Sequence, residues 1–293
     1  MTRDAETRWI ETPRGSIEVT IAGPREGAPL LFVHGALVAG DLWAPVAAEL
    51  ARTHRCYVPT LPLGSHARAM QSDAALAPPD VADLVVEIAD ALGLGALTIV
   101  ANDSGGAVSQ LVAARHRARV RGLVLTNCDA LEVFPPLAYA YLKRVAERPW
   151  LAAAMLRALA WAPVLGLAPT AWGGLARGIT RQDVRRWSLP GARDRGVRED
   201  LAKFMRGAGP GVTLEAAERL AASPVPIELV WGDEDPYFRR ELAERFARKI
   251  LGARARFVPG ARTYVMLDAP EALARAIRAF DDRLAAGAGV EAR

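Results

Sequence analysis

Cysteine and histidine are scarce in this chain, and each shortage closes off a class of chemistry. Two cysteines in 293 residues cannot build a disulfide framework. Cys56 and Cys128 each fall inside a predicted strand without metal-ligand spacing, so no metal site is expected and both read as buried thiols of a reducing compartment. The four histidines are His34, His54, His66 and His116, and none follows His116. Met1 to Arg8 is polar and charged, without the apolar stretch of a secretory signal, which makes a cytoplasmic location the expectation. No basic run is interleaved with aromatics, and a net charge of +4 is mild for this length, so no nucleic-acid footprint is present. The longest charge-free stretch, 158–176, is interrupted by Pro163, Gly166, Pro169, Gly173 and Gly174, which suits short buried helices and not a membrane span.

What remains is an ordinary globular composition, 51 % hydrophobic and 24 % charged, enough for one large core or a core with a subdomain. Arg8 to Thr12 and Ser16 to Ile21 read as an edge hairpin around Pro13–Arg14–Gly15. Leu30 to Val33 is a continuous apolar run, as in a strand covered on both faces. A helix from Asp41 to Arg52, with Asp41 as its N-cap, follows, then a strand from Arg55 to Thr60 and a helix over Asp80 to Gly93. Leu97 to Ala101 is the next buried strand, with a helix from Ala107 and another strand over Gly122 to Thr126. From 133 to 222 no convincing strand appears, while four of the seven tryptophans do: Trp150, Trp161, Trp172 and Trp187. Alternation resumes with Pro226 to Trp231, a helix over Arg239 to Leu251, Arg254 to Val258 and a closing helix from Pro270 to about Leu284, after which the tail from Ala285 is expected to fray. Strands alternating with helices imply right-handed crossovers and a mostly parallel eight-stranded sheet with helices on both faces. Residues 1–132 and 223–293 would form this α/β core, and 133–222 a helical cap inserted after the sixth strand.

The sharpest local signal is Ala101–Asn102–Asp103–Ser104–Gly105–Gly106, between a buried strand and a helix. A strand–turn–helix bend that lifts one side chain off the sheet edge needs small residues two before and two after it, because their Cβ atoms meet across the bend. Ala101 and Gly105 satisfy this for Asp103, whereas Asn102 serves Ser104 poorly. The bend therefore raises a carboxylate. Ligands of parallel sheets gather at the carboxyl ends of strands. Those ends read His34–Gly35–Ala36, the loop to His66, Asp103–Ser104, Asn127–Cys128–Asp129, Asp233–Glu234–Asp235 and Arg262–Thr263–Tyr264.

With the elbow, the His34–Gly35 turn, the helical insertion and Trp231–Gly232–Asp233–Glu234–Asp235–Pro236, the chain resembles the α/β-hydrolase fold over nearly its whole length. The acid at the elbow is similar to the branch holding haloalkane dehalogenases and epoxide hydrolases. That resemblance implies Asp103 as nucleophile, backbone N–H groups of Ser104 and Ala36 as the oxyanion hole, His34 as a support of that loop, and Asp235, or else Asp129, as the acid behind the base. It implies no cofactor.

One position departs from the family pattern. In Pro259–Gly260–Ala261–Arg262–Thr263–Tyr264, Thr263 stands where the family keeps its catalytic histidine. Loss of such a base typically slows a reaction by on the order of a hundred- to ten-thousand-fold. His66 is a substitute if its loop reaches the cavity. Otherwise Asp103 works as general acid or base in a lyase, cyclase or isomerase, or the chain binds a small molecule without transforming it. Ala36 and Ser104 replace the side chains that would hold a departing halide, and Tyr139 and Tyr141 are available to an epoxide oxygen. Phe134, Tyr139, Tyr264 and the cap tryptophans point to a small or medium apolar or aromatic substrate. The expected enzyme is thus an epoxide-hydrolase- or dehalogenase-like hydrolase, monomeric or homodimeric. The cap carries fourteen Lys and Arg against seven Asp and Glu, read as solvated helix faces.

Overall fold

The computed structural model describes residues 5–291, with side chains through 286. Eight strands form one sheet in the order β1-β2-β4-β3-β5-β6-β7-β8. β1 (Glu6–Thr12) and β2 (Gly15–Ala22) make the expected edge hairpin, and β2 meets β4 (His54–Pro59) antiparallel. All remaining pairings, through β3 (Ala28–Val33), β5 (Leu97–Asn102), β6 (Val120–Cys128), β7 (Ile227–Gly232) and β8 (Ala253–Val258), are parallel. Apolar runs without alternation fit this arrangement: every residue of β5 and β7 is buried, because helices cover both faces. Each such fully buried Val, Ile or Leu contributes roughly 1.5–3 kcal/mol of transfer free energy.

The chain enters the parallel part of the sheet at β3, steps to β4 on one side, and returns to β5 on the other. This reversal opens a crevice at the carboxyl ends of β3 and β5, the place where doubly wound sheets bind ligands. α1 (Ala44–Leu50) packs with α11 (Pro270–Glu291) over one face, and α2 (Pro78–Ala91) with α3 (Asp103–Arg115) over the other. In α2 the periodic apolar residues Val81, Leu84, Val85 and Ile88 are all buried.

Between β6 and β7 lie α4 (Tyr141–Ala146), α5 (Pro149–Trp161), α6 (Arg181–Arg193), α7 (Arg195–Gly207) and α8 (Pro210–Ala222). α4 to α7 pack on one another, whereas α8 packs on α3 and α9 (Arg240–Lys249), beside the sheet helices.

Four expectations are corrected. Asp41 does not cap a long helix. It sits within a 3-10 turn, Gly40–Trp43, and its carboxylate accepts from Trp187 Nε1 at 2.9 Å and pairs with Arg186, tying the α6 segment to the sheet. α3 begins at Asp103 itself, four residues before the periodic apolar pattern starts, because the small residues after Asp103 leave no hydrophobic signature. The closing helix continues past Leu284 through Glu291, so the fraying expected from Ala285 is not seen there; residues 292 and 293 lie outside the described residues, as does Met1 to Asp4 of the expected polar start. The charge-free stretch is broken as expected, but Trp161, Val164 and Leu165 within it are exposed, not buried. No single helix is long and apolar enough to cross a membrane among the described residues.

Candidate active site at the β5–α3 elbow

Asn102 is extended at φ −142°, and Asp103 then turns to φ +50°, a left-handed conformation that a non-glycine residue adopts at a cost of roughly 1–2 kcal/mol. The small-neighbour argument holds in detail. A Cβ on Gly105 would lie 2.5 Å from the His34 carbonyl oxygen and 2.6 Å from that of Val33, so the helix can pass under β3 only with glycine there. Gly35 is equally constrained, since a Cβ on it would run into the Asp103 carboxylate. The elbow and the turn after β3 are thus packed backbone to side chain.

Asp103 faces a cavity of about 780 Å³, counting its open mouth. Ala36, Ser104, Asp129, Phe134, Tyr139 and Tyr264 line it with Asp103, as the sequence reading expects. Of the cap tryptophans only Trp172 lines it; Trp187 is buried elsewhere, and Trp150 and Trp161 face outward. Leu142, Met155 and Leu159 from α4 and α5, with Phe204 and Met205 from α7, complete an apolar roof. No Lys, Arg or His is among the lining residues.

Asp235, just past β7, is held by three donors. Its Oδ1 accepts from the backbone N–H of Tyr237 at 2.8 Å and Phe238 at 3.1 Å, and Oδ2 accepts from Asn127 Nδ2 at 2.8 Å. Asn127 is itself locked to Gly232, donating to its carbonyl at 3.1 Å and accepting from its N–H at 2.6 Å. Asn127, one residue from the end of β6, and Gly35, in the turn after β3, are given no role by sequence reasoning, and neither are the roof residues Leu142, Met155, Leu159, Phe204 and Met205. Thr263 is fully buried beside Asp235 and helps hold that carboxyl down, although its Oγ1 has no well-formed hydrogen bond.

The electrostatics follow from burying acids without cations. Desolvation raises Asp103 to about 7, the Asp235 charge adds to this, and the Ser104 N–H opposes it. Asp129 is driven well above the carboxylate range by burial and by Asp103, and its Oδ1 is enclosed with no hydrogen-bond partner. Burial raises Asp235 to about 6 against its N–H donors. The Tyr264 phenol is pushed up by burial and then by Asp103 and Asp235. Burial and mutual repulsion thus push both Asp103 and Asp129 towards their protonated forms.

The expected oxyanion donors are engaged in this state. The Ala36 N–H donates to Ser104 Oγ at 3.0 Å, and the Ser104 N–H donates to the Asp103 carboxylate. Rotation of the Ser104 hydroxyl would free the first donor.

None of the four histidines reaches the cavity. His34 is buried, its Nδ1 on the Gly35 carbonyl at 2.7 Å and its Nε2 accepting from Leu61 N–H at 2.8 Å, which fixes the loop before Ala36. Burial lowers it to about 4, so it is neutral. The expectation that His66 enters the cavity is not met. His66 is buried against α7, with Nε2 3.0 Å from Asp200 Oδ2, which also accepts from Met70 N–H at 2.8 Å. His54 faces Asp281 at 3.7 Å and His116 faces Asp83 at 2.7 Å, both away from the crevice. The Tyr139 hydroxyl donates to the Ala171 carbonyl at 3.3 Å, and its ring stacks on Tyr237 at 4.8 Å.

A model of the alpha/beta hydrolase family matches residues 30–276, most of the chain. The chain belongs to the alpha/beta hydrolase family. Among relatives of this alpha/beta hydrolase, haloalkane dehalogenase 2 of Mycobacterium bovis is 29 % identical over 278 residues, 93 % of each chain. Carboxylesterase YbfK of Bacillus subtilis is 22 % identical, covering 94 % of this alpha/beta hydrolase and 88 % of the esterase. The crystal structure of haloalkane dehalogenase DbeA from Bradyrhizobium elkani superposes with a TM-score of 0.79 at 21 % identity, over 97 % of this alpha/beta hydrolase and all of that chain. At that identity the superposition establishes the fold alone.

Proposed function

We propose that this chain is a hydrolase of a small to medium apolar electrophile of epoxide type, with Asp103 as nucleophile and residues 133–222 as the cap over it. The observation that carries this reading is the Asp103 carboxylate raised at φ +50° on the floor of an apolar cavity. Similarity to a haloalkane dehalogenase supports a reaction at an alkyl carbon. Ala36 and Ser104, which offer no side chain to hold a halide, favour a leaving oxygen that stays on the substrate.

In the first step an Asp103 oxygen attacks the ring carbon. A carbon–oxygen ester bond forms, the ring carbon–oxygen bond breaks, and its electron pair goes to the ring oxygen. That oxygen takes the proton from Asp129, whose burial beside Asp103 favours the protonated form. Asp129 is then a carboxylate with no histidine beside it. In the second step it accepts one proton from water attacking the Asp103 ester carbonyl. The carbonyl carbon–oxygen bond to the substrate then breaks, the leaving oxygen takes the water's other proton and departs as the alcohol, and Asp103 is again a carboxylate. The N–H groups of Ala36 and Ser104 receive the developing oxyanion. One carboxyl serving first as acid and then as base closes the proton cycle without an imidazole, as in carboxylate-only glycosidases. The departure at Thr263 implies slow release of the ester.

A second reading is favoured by one observation, the Asp103 and Asp129 carboxyls lining one apolar cavity with no cation beside them. It makes the pair an acid and base for isomerisation or elimination. Turnover of a panel of aliphatic and aryl epoxides, haloalkanes and esters, beside Asp103→Asn, tests the assignment. Diol formation lost in the variant supports it; retention of turnover by Asp103→Asn overturns it.

A further inference from the structure

Helix α5 presents two different faces. Met155 and Leu159 line the cavity, while Trp150, Ala154, Arg157, Ala158 and Trp161, at the three- and four-residue spacing of one stripe, are exposed. The two indoles stand about 16 Å apart along the helix, three turns from end to end. They are 71 % and 65 % exposed, far beyond what a residue of that size keeps when a neighbour covers it. Past the bend the exposed stripe continues into Val164 and Leu165, and Leu137, 93 % exposed, stands beside the cavity residue Pro136. Tyr141 both lines the cavity and is exposed, so the mouth opens on this same group of helices.

The charge around the stripe has one sign. From 137 to 165 the chain carries Lys143, Arg144, Arg148 and Arg157 against the single acid Glu147. The Arg185 guanidinium lies 6.0 Å from the Trp161 ring centre. Elsewhere between 133 and 222 pairing is mixed: Arg186 pairs with Asp41 and Asp183, Arg195 with Glu199 and Arg219 with Glu215, whereas Arg181, Arg193, Arg198 and Arg206 have no carboxylate partner among the described residues. Arg144, Arg148, Arg157 and Arg185 have no carboxylate partner among the described residues.

We propose that the outer face of α5, with the turn after it, docks on an anionic lipid surface, so that the cavity mouth takes an apolar substrate directly from the bilayer. Indole rings settle at the headgroup level, aliphatic side chains enter the acyl boundary, and unpaired arginines meet lipid phosphates. A second copy of the chain is the poorer occupant, because a two-fold contact would set the same unpaired arginines against each other. The helix pair Pro149–Trp161 and Pro163–Gly174 is bent by 94°, which suits lying on a surface and not crossing it. The inference is independent of the chemistry assigned to Asp103.

The test is sedimentation of the full chain with vesicles of phosphatidylcholine alone and of phosphatidylcholine with phosphatidylglycerol in equal parts. The chain is expected to pellet with the anionic vesicles, and less so at high salt. Trp150→Ser with Trp161→Ser lowers the partition coefficient by about tenfold or more, and Arg157→Gln by about fivefold. Unchanged thermal melting shows these surface variants are folded, and Asp103→Asn binds like the parent whatever its turnover. Failure to pellet with anionic vesicles at low salt, or equal pelleting of the double tryptophan variant, overturns the proposal. So does a dimer that the double variant dissociates while neither form binds vesicles.

Discussion

Replacing Asp103 with asparagine removes a buried charge while nearly preserving shape, and its effect on stability depends on pH with a sign set by the cavity. The carboxyl titrates at about 7 in the folded chain against an ordinary 3.8, so the folded state holds this proton more tightly than the unfolded one. Between those values stability falls as pH rises, and the penalty is complete above the folded value. Over that interval, at about 1.4 kcal/mol per pH unit, it amounts to on the order of 4 kcal/mol. Asparagine avoids it, and the opposing Ser104 N–H is already counted in that interval. The net expectation is stabilisation of Asp103→Asn by on the order of 4 kcal/mol at pH 8. In urea melts with a slope of about 3 kcal/mol per molar, the midpoint rises by about 1 M. Near pH 4 the two proteins melt within about 0.5 kcal/mol of each other, since the carboxyl is then protonated in the native state and about two-fifths so in the unfolded one. A difference that does not change between pH 4 and pH 8, or a variant less stable at pH 8, would refute the claim that this carboxyl is held desolvated.

Other outcomes follow from the same geometry. Thr263→His sets an imidazole between Asp235 and Asp103 and should speed ester release by on the order of a hundredfold, read in multiple-turnover rates. The initial rate of ring opening should rise with pH through about 7, because Asp103 attacks only as the carboxylate, and a flat profile across that range contradicts this. His66→Ala breaks the buried contact with Asp200, so it should destabilise by about 3–5 kcal/mol while the folded fraction keeps its rate constant. A loss of rate without loss of stability would return His66 to the chemistry.

The fold was legible because its signals are periodic or continuous. Apolar or β-branched runs marked β3 and β5, the return of strand–helix alternation marked β7, and the spacing of Val81, Leu84, Val85 and Ile88 marked α2. The elbow was legible because sterics alone demand Ala101 and Gly105 around Asp103. The destination of His66 was not, since a loop histidine beside a strand end carries no mark of the aspartate on α7 that captures it. Nor was the division of the tryptophans between 133 and 222: Trp150 and Trp161 read with the others as pointing to an apolar substrate, and only the packing of α5 turns them outward. The role of Asn127 was not legible either, because it depends on β6 and β7 being neighbours, a register no single segment encodes.

The most direct test of Asp103 as the ester-forming group is repeated turnover of a reactive epoxide in heavy-oxygen water, followed by peptide mapping. Water attacking the ester carbonyl must leave one heavy oxygen in the carboxyl of Asp103, and that labelled peptide is the result expected. Product carrying all of the label, with the Asp103 peptide unchanged after many turnovers, would contradict it.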